Sequence, residues 1–439
     1  MLFTPVRLFG LALLVVLLGA GGFFAWASQP AIDAAPPPPP SAFSKATVAK
    51  GALIASTGYC AECHTAPGGA PFAGGYPVAT PFGTIYGSNI TPDMQTGIGS
   101  WSEAAFRRAM HRGIARNGEH LYPAFPYNHF TLVSDDDVAA LYAYLMTRAP
   151  ANHRVPAPQL PFPLNIRLVL AGWNLLFLHE GRFQPEPKQS AAWNRGAYIA
   201  EGLGHCAACH TPHNAFGAEI ASAQYAGGHS DGWLAPALNH GSPAPAPWTE
   251  DELATYFGNG FVQNHGLAAG PMQNVTENLQ RLPRSDLDAL ATYIGSFEPP
   301  PSPGKTAEAV AAADRVAYRP ATAQQMSLQG PATSGEAIYA GACASCHFLG
   351  GNQPFYRPVT SGLSSVTHAP DPDNFIQIVL HGVQPPPGAE ERWMPPFAGV
   401  LTPSQIVLLA QYVRHHFTDE PAWTKVGDAV ARIEKEAQR

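Results

Sequence analysis

Cys-Ala-Glu-Cys-His at residues 60–64 is the first of three Cys-x-x-Cys-His motifs in this chain. The other two are Cys-Ala-Ala-Cys-His at residues 206–210 and Cys-Ala-Ser-Cys-His at residues 343–347. Two thiols three positions apart lie on one side of a helical turn, where they can add to the two vinyl groups of a porphyrin. The adjoining imidazole can then bind the iron. Because this motif is the attachment sequence of c-type haem, the sequence predicts three covalently bound haems.

The three motifs use all six cysteines of the chain, so we predict no disulfide and no separate cysteine metal site. A zinc ribbon needs two cysteine pairs close together, whereas these motifs begin 146 and 137 residues apart. A dithiol oxidoreductase has no need of histidine at the same position three times. The predicted haem-attaching residues are Cys60, Cys63, Cys206, Cys209, Cys343 and Cys346, and the predicted proximal iron ligands are His64, His210 and His347.

The chain repeats one plan around these motifs, which predicts a mostly α-helical fold of three tandem cytochrome c-like domains. In each repeat a glycine-containing helix leads into the motif, and an amphipathic helix with a Ser or Thr N-cap closes the repeat. A haem between the two crossed helices supplies the core that so small a domain would otherwise lack. The predicted leading helices cover residues 48–59, 194–205 and 335–342, and the predicted caps of the closing helices are Ser134, Ser285 and Thr402.

Proline-rich joints set the predicted boundaries between the domains. The three cytochrome c domains are placed at residues 46–150, 191–298 and 331–418. A linker at 151–190 and a Pro/Ala-rich linker at 299–330 separate them, and a C-terminal tail follows at 419–439.

The N-terminus predicts export from the cytoplasm. Leu8 to Ala27 is an uncharged apolar run of 20 residues, long enough to cross a bilayer, and Ala25-Trp26-Ala27 resembles a signal-peptidase site. Residues 1–28 are therefore predicted to be a signal peptide or an uncleaved anchor, and the length of the run favours the anchor. Because haem is attached on the outer side of the bacterial inner membrane, the haem domains are expected on its periplasmic side. Residues 29–45, which contain five successive prolines, are predicted to form a stiff spacer that holds the first domain off the membrane.

The charge of the chain argues against a nucleic-acid partner, because its formal net charge is −7 and the propionates of the haems would add further negative charge. A second apolar run at residues 168–178 is too short to span a bilayer. Two interpretations of this run stay open: a helix packed on the protein's own domains, or a surface helix that meets lipid or a partner, with Trp173 at the boundary.

The residue opposite each proximal histidine determines what the iron does, and methionine there gives a closed electron-transfer site. The second repeat offers Met272 after Gly270-Pro271, and the third offers Met394 before Pro395-Pro396. A proline beside the methionine predicts an extended loop across the haem face. We therefore predict Met272 and Met394 as axial ligands.

The first repeat lacks a methionine at the corresponding position, which Phe125 occupies. His129, four residues further along the same loop, is the candidate sixth ligand that needs the smallest adjustment of the chain. A methionine ligand and an open or water-bound iron are the alternatives. The other nearby candidates are Met94, Met110, His111 and His120.

Several segments together resemble the triple-haem cytochrome c subunits of membrane-bound bacterial dehydrogenases. Besides the three motifs, they are Asn-Ile-Thr-Pro-Asp at 89–93, Gly-Ile-Gly at 97–99 with Trp101, His-Leu-Tyr-Pro-Ala at 120–124, Gly-Pro-Met at 270–272 and Met-Pro at 394–395. The resemblance covers essentially everything after the linker at 29–45. It implies a subunit without catalytic residues of its own, which takes electrons from a catalytic dehydrogenase subunit and passes them to ubiquinone or a terminal oxidase. It also implies a place on the outer face of the inner membrane.

The expected catalytic partners in that family are quinoprotein alcohol dehydrogenases, flavin dehydrogenases for gluconate or related sugars, and molybdenum hydroxylases for aldehydes or N-heterocycles. Residues 123–130 around Phe125, together with 171–177, are similar to the subunits paired with molybdenum hydroxylases, so this partner is favoured. An iron-sulfur or other small subunit is expected in the complex. Two other functions remain as alternatives: a peroxidase-like haem enzyme at an open first iron, and a free periplasmic electron shuttle.

Overall fold

The computed structural model describes residues 5–298, 304–317, 334–347, 361–384 and 393–436. The chain divides into two compact units. Unit 1 comprises Met1–Gln184 with Glu201–His205, and unit 2 comprises Pro185–Ala200 with Cys206–Arg439. The described residues are mostly helical, with short antiparallel hairpins, which confirms the predicted mostly helical class.

Unit 1 contains helices and a single described hairpin, β1–β2, in which Pro77 pairs with Tyr86. Its helices and strands are α1 (Pro5–Ala27), α2 (Lys45–Thr57), α3 (Cys60–His64), β1 (Pro77–Thr80), β2 (Gly83–Tyr86), α4 (Glu103–Arg112), α5 (Tyr127–Phe130), α6 (Asp135–Met146) and α7 (Leu170–Phe177).

Unit 2 contains further helices and two described hairpins, β3–β4 and β5–β6. Its elements are α8 (Ala191–Ala197), α9 (Ala207–His210), β3 (Gly228–Ser230), β4 (Trp233–Ala235), α10 (Glu250–Asn259), β5 (Phe261–Val262), β6 (Gly266–Leu267), α11 (Pro271–Leu279), α12 (Arg284–Gly295), α13 (Lys305–Ala317), α14 (Gly335–Ala342), α15 (Ala344–His347), α16 (Ser365–His368), α17 (Asp373–His381), α18 (Pro403–Phe417) and α19 (Val426–Glu436). Within the predicted C-terminal tail, α19 buries Val430 and Ile433 in the core that α14, α17 and α18 form.

A glycine at the point where the leading and closing helices cross recurs in all three repeats. In unit 1, a Cβ atom at Gly51 of α2 would overlap the carbonyl oxygen of Ala140 in α6. In unit 2, a Cβ atom at Gly196 of α8 would overlap the carbonyl oxygen of Ala289 in α12. A Cβ atom at Gly335 of α14 would likewise overlap the carbonyl oxygen of Leu408 in α18. Only glycine allows two helix backbones to approach so closely. The predicted crossing of helices is therefore present three times, while the domain boundaries stay a prediction.

Two of the three predicted caps of the closing helices are confirmed. The Ser134 side chain accepts a hydrogen bond from the Asp137 amide at the start of α6. Thr402 and Gln405 form a capping box at the start of α18. The prediction for Ser285 is wrong, because α12 begins at Arg284 and its N-cap is Pro283. Pro283 has an extended backbone, with ψ 146°, and the helix starts directly after it.

The prediction that each motif simply ends the leading helix is wrong in the first two repeats. Helix α2 stops at Thr57, and Tyr59 (φ 33°) separates it from α3. Helix α8 continues as a π-helical segment, Tyr198–Leu203, and His205 (φ 35°) precedes the second motif. A left-handed residue interrupts the helical path of the backbone. In the third repeat, α14 runs to Ala342 as predicted.

The end of α1 and the segment after it pack on the rest of unit 1. Ala27 is 1% exposed, and its carbonyl oxygen accepts a hydrogen bond from Nε2 of His120 at 2.8 Å. Arg108 donates to the Pro30 carbonyl at 2.7 Å, and the Ile32 amide donates to the Arg116 carbonyl at 2.8 Å. The first residues of the predicted linker are therefore hydrogen-bonded along the surface of unit 1, while the stiff spacer predicted from the proline run stays a prediction.

No helix among the residues described is both long and apolar enough to cross a membrane.

The second apolar run forms α7, and one of its sides packs on unit 1. Ala171 is buried, the Tyr127 hydroxyl donates to Oδ1 of Asn174 at 2.6 Å, and the ring of Trp173 contacts Tyr127. The other side exposes Leu175 (67%) and Leu176 (63%). Trp173 is thus part of the internal packing, and the two leucines form the apolar surface.

Gly196→Ala should destabilise unit 2, because the added methyl group would collide with the Ala289 carbonyl in the crossing helix. We expect a loss of about 1–3 kcal/mol, seen as a lower denaturation midpoint of the haem-loaded protein. Gly427→Ala in α19 is the matched control, because nothing lies within 4 Å of its added methyl group. It should stay within about 0.5 kcal/mol of wild type. Equal effects of the two substitutions would contradict the close crossing.

Candidate haem centres

The imidazole of the first motif is held by a backbone carbonyl. Nδ1 of His64, at the end of α3, lies 2.6 Å from the carbonyl oxygen of Ser88. Because a carbonyl only accepts, Nδ1 carries the proton, and Nε2 keeps the lone pair that an iron ligand needs. Burial lowers the pKa of His64, which favours the neutral imidazole. The ring is thus in the protonation state and tautomer of a proximal ligand.

The second motif has the same construction. Nδ1 of His210, at the end of α9, donates to the carbonyl oxygen of Pro236 at 2.7 Å, and burial lowers the pKa of this histidine too. A hairpin precedes the accepting carbonyl in both repeats. Ser88 follows β2 by two residues, and Pro236 follows β4 directly. Two distant segments of the sequence therefore position the imidazole by the same means.

The third motif is described as far as His347. Cys343 precedes the short helix α15, which contains Cys346 and His347. Residues 348–360, which follow the motif, lie outside the described residues.

None of the six cysteines is paired in a disulfide. Burial raises the pKa of the Cys60 thiol to about 12 and that of Cys343 to about 11, and it also raises the pKa of Cys209. Redox-active dithiols need the opposite shift, towards the thiolate. The raised pKa of these three thiols favours their protonated form, which does not fit a dithiol oxidoreductase.

Met272 lies in the first turn of α11, directly after Pro271. The predicted extended loop is therefore wrong for this methionine, because proline favours the first position of a helix, where its missing N–H costs nothing. Gly270, the N-cap (φ 56°), packs so closely on Trp233 that a Cβ atom would overlap the indole ring. Trp233 begins β4, which leads to Pro236. A single hairpin thus contacts the Met272 segment and continues into the carbonyl that holds His210.

Met394 has the predicted extended backbone. It pairs with Val383, and each residue donates its amide to the other's carbonyl at 2.9 Å. The side chain is partly buried against the core of the third repeat. A Cβ atom at Gly382 would overlap the Met394 carbonyl, so glycine permits this close pairing.

The candidate sixth ligands of the first repeat lie in different surroundings. Each of the three histidines bonds a backbone carbonyl: His111 that of Val133, His120 that of Ala27 and His129 that of Glu201. Met110 is buried in α4. Met94 is 51% exposed. The assignment of His129 stays a prediction.

Sequence reasoning missed the carbonyls of Ser88 and Pro236. A backbone carbonyl leaves no residue-type signature, so only the fold could reveal these acceptors. It also missed the left-handed backbone of Tyr59 and His205, which directly precede the first two motifs.

One further group of side chains has metal-ligand chemistry among the described residues of unit 2. The ligand atoms of His229, Asp371 and Asp373 lie within 4.8 Å of one another. Asp373 pairs with Arg432 at 2.6 Å, and His229 pairs with Asp371 at 3.2 Å. These contacts account for the cluster as an ion-pair network.

Comparison with known proteins places this construction in a family. Residues 48–149 match the family model for cytochrome c, and residues 330–413 match that for cytochrome c oxidase, cbb3-type, subunit III. The gluconate 2-dehydrogenase cytochrome c subunit of Pantoea cypripedii is 34% identical over 97% of this chain and 95% of its own length. The fructose dehydrogenase cytochrome subunit of Gluconobacter japonicus is 35% identical over 88% of this chain and 82% of its own length. The chain belongs to the cytochrome c subunits of dehydrogenase complexes.

Membership of this family implies haem c as the cofactor and electron transfer as the activity. It also implies a catalytic dehydrogenase chain as the partner. A longer relative is a nicotinate dehydrogenase subunit of Pseudomonas putida, which is 46% identical over 89% of this chain. The chain spans 32% of that relative's length.

Met272→Leu should open the iron of the second haem, because leucine keeps the side-chain volume and removes the sulfur ligand. We expect the reduced variant to gain a carbon monoxide-induced absorbance change and the potential of that haem to fall. Met146→Leu, a substitution of a buried methionine in α6, is the control and should gain no such change. A Met272→Leu protein with wild-type spectra would exclude this ligand.

His129→Ala should produce the same gain of carbon monoxide binding at the first haem, if His129 is its sixth ligand. His111→Ala and His120→Ala, which remove the other two buried imidazoles, should not produce it. The measurement is the difference spectrum of the reduced protein with and without carbon monoxide. A stoichiometric change already present in wild type would instead show an open first iron.

Proposed function

We propose that this cytochrome subunit carries three haems c and conducts electrons from a catalytic dehydrogenase chain to ubiquinone or a terminal oxidase. The observation that carries the proposal is the carbonyl-held imidazole of His64 and His210 within the haem motifs. Bound haem supplies a one-electron iron couple at each motif. The cysteines fix the macrocycle, and the histidine binds the iron through Nε2. Met272 and Met394 close two of the irons to substrate.

The proposed catalytic partner is a molybdenum hydroxylase that oxidises an aldehyde or an N-heterocycle. The 46% identity to a protein named for nicotinate, an N-heterocyclic acid, supports this choice over the sugar dehydrogenase subunits at 34–35%. Quinoprotein alcohol dehydrogenases and flavin dehydrogenases are the next candidates. An iron-sulfur or other small subunit completes the proposed complex.

The proposed location is the periplasmic side of the bacterial inner membrane. The apolar N-terminal segment supports export, and covalent haem requires it. The exposed pair Leu175 and Leu176 on α7 offers an apolar surface for lipid or for a partner subunit.

The purified subunit should be reducible and reoxidisable, and it should oxidise no alcohol, aldehyde or N-heterocycle by itself. Mass spectrometry of the intact protein should show three covalently added haems. The Cys206→Ser/Cys209→Ser double variant should retain two. Detergent extraction from the native host should co-purify a dehydrogenase chain. Substrate turnover by the isolated subunit, or fewer than three haems in wild type, would contradict the proposal.

A further inference from the structure

The residue directly before the haem motif is an aromatic ring in both of the first two repeats. Tyr59 precedes Cys60, and His205 precedes Cys206. The two rings are in contact, with centroids 4.6 Å apart and planes at 62°. Both Tyr59 and His205 belong to unit 1. Two residues that are 146 positions apart, each one peptide bond from a haem-attaching cysteine, thus touch each other.

A hydrogen-bonded pair joins these rings. The Tyr59 hydroxyl lies 2.7 Å from the carbonyl oxygen of Gly204 and 3.2 Å from Nδ1 of His205. The single hydroxyl proton goes to the carbonyl, which can only accept, so the hydroxyl oxygen accepts from Nδ1–H of His205. The pair therefore has one defined direction of donation, from His205 through Tyr59 to Gly204.

The surroundings hold both rings in place. His205 packs edge-on against Phe130, with centroids 5.5 Å apart, and lies 6.3 Å from the ring of His129. Nδ1 of His129 in turn bonds the Glu201 carbonyl at 2.7 Å. Leu203 is buried, and a Cβ atom at Gly58 would come within 3.3 Å of its carbonyl oxygen. Residues 201–205 thus make hydrogen bonds and ring contacts with several other residues of unit 1.

The backbone at both rings is unusual. Tyr59 and His205 have φ values of 33° and 35°. Such left-handed geometry costs about 1–2 kcal/mol for a residue with a Cβ atom. The motif does not require it, because the third motif follows Ala342 at the end of helix α14. Strain of this kind persists where the surrounding structure imposes it and is often linked to function.

We infer that the Tyr59–His205 contact is the bridge through which electrons pass between the first and second haems. The path runs from Cys60 to Tyr59 along the chain, crosses one hydrogen bond to His205, and reaches Cys206 along the chain. An electron tunnels more readily through bonds and hydrogen bonds than across a van der Waals gap. In each transfer one iron is oxidised from ferrous to ferric and the other is reduced from ferric to ferrous. No bond forms or breaks, and no proton moves.

This inference rests on the proposed function. Its test is a measurement of the rate at which electrons redistribute among the haems of the full-length, haem-loaded protein. A few electrons are injected photochemically into the oxidised protein. Freeze-quench electron paramagnetic resonance then follows each haem by its own signal. In Tyr59→Phe, which keeps the ring and the backbone strain but removes the hydrogen bond, equilibration between haems one and two should slow several-fold. Haem content and reduction potentials should match wild type.

Tyr122→Phe is the matched control, because it also removes a hydroxyl that bonds a backbone carbonyl in unit 1, here that of Leu164. Its rate should equal that of wild type. His205→Asn removes the imidazole and tolerates left-handed backbone, so it keeps the test valid if Tyr59→Phe does not load haem. It too should slow the redistribution.

Wild-type rates in Tyr59→Phe, or in His205→Asn if the first variant does not load haem, would overturn the inference. A slower rate that a changed potential fully explains would also overturn it. A wild-type protein whose haems never share an electron would instead contradict the proposed function itself.

Discussion

The close crossing of the leading and closing helices is the constraint on which each repeat depends. At Gly51, Gly196 and Gly335, the backbone of one helix lies against a carbonyl of the other, with no room for a side chain. This contact joins the helix that precedes each haem motif to the helix that closes the repeat. The two crossed helices can then pack around the haem that we propose for each motif.

The second constraint is the hydrogen bond between the proximal imidazole and a backbone carbonyl. It fixes the tautomer, so that Nε2 and not Nδ1 is available to the iron, and it fixes the plane of the ring. In the first two repeats a two-stranded hairpin leads into this carbonyl. The hairpins are too short to be stable alone, and they serve to position one acceptor each.

The sequence was sufficient for everything that depends on residue type. It predicted the helical class, the haem motifs and the caps at Ser134 and Thr402, because each has a side-chain signature. The predictions from sequence were wrong where backbone conformation, and not residue type, determines the local structure. The start of α12 at Arg284 follows from the extended backbone of Pro283, and the helical position of Met272 follows from Pro271 at the first position of α11. The acceptors at Ser88 and Pro236 contribute only carbonyls, for which no residue type is diagnostic.

The two sides of the proposed haem sites differ in how far they repeat along the chain. The proximal side is constructed alike at His64 and His210, so both imidazoles would offer Nε2 to a bound iron. The distal side differs, because Phe125 replaces the methionine that the second repeat provides as Met272. Because the sixth ligand is a main determinant of potential, different residues in the distal loops would give the proposed haems different potentials. The fold can therefore keep attachment constant while each loop sets the potential of its own haem.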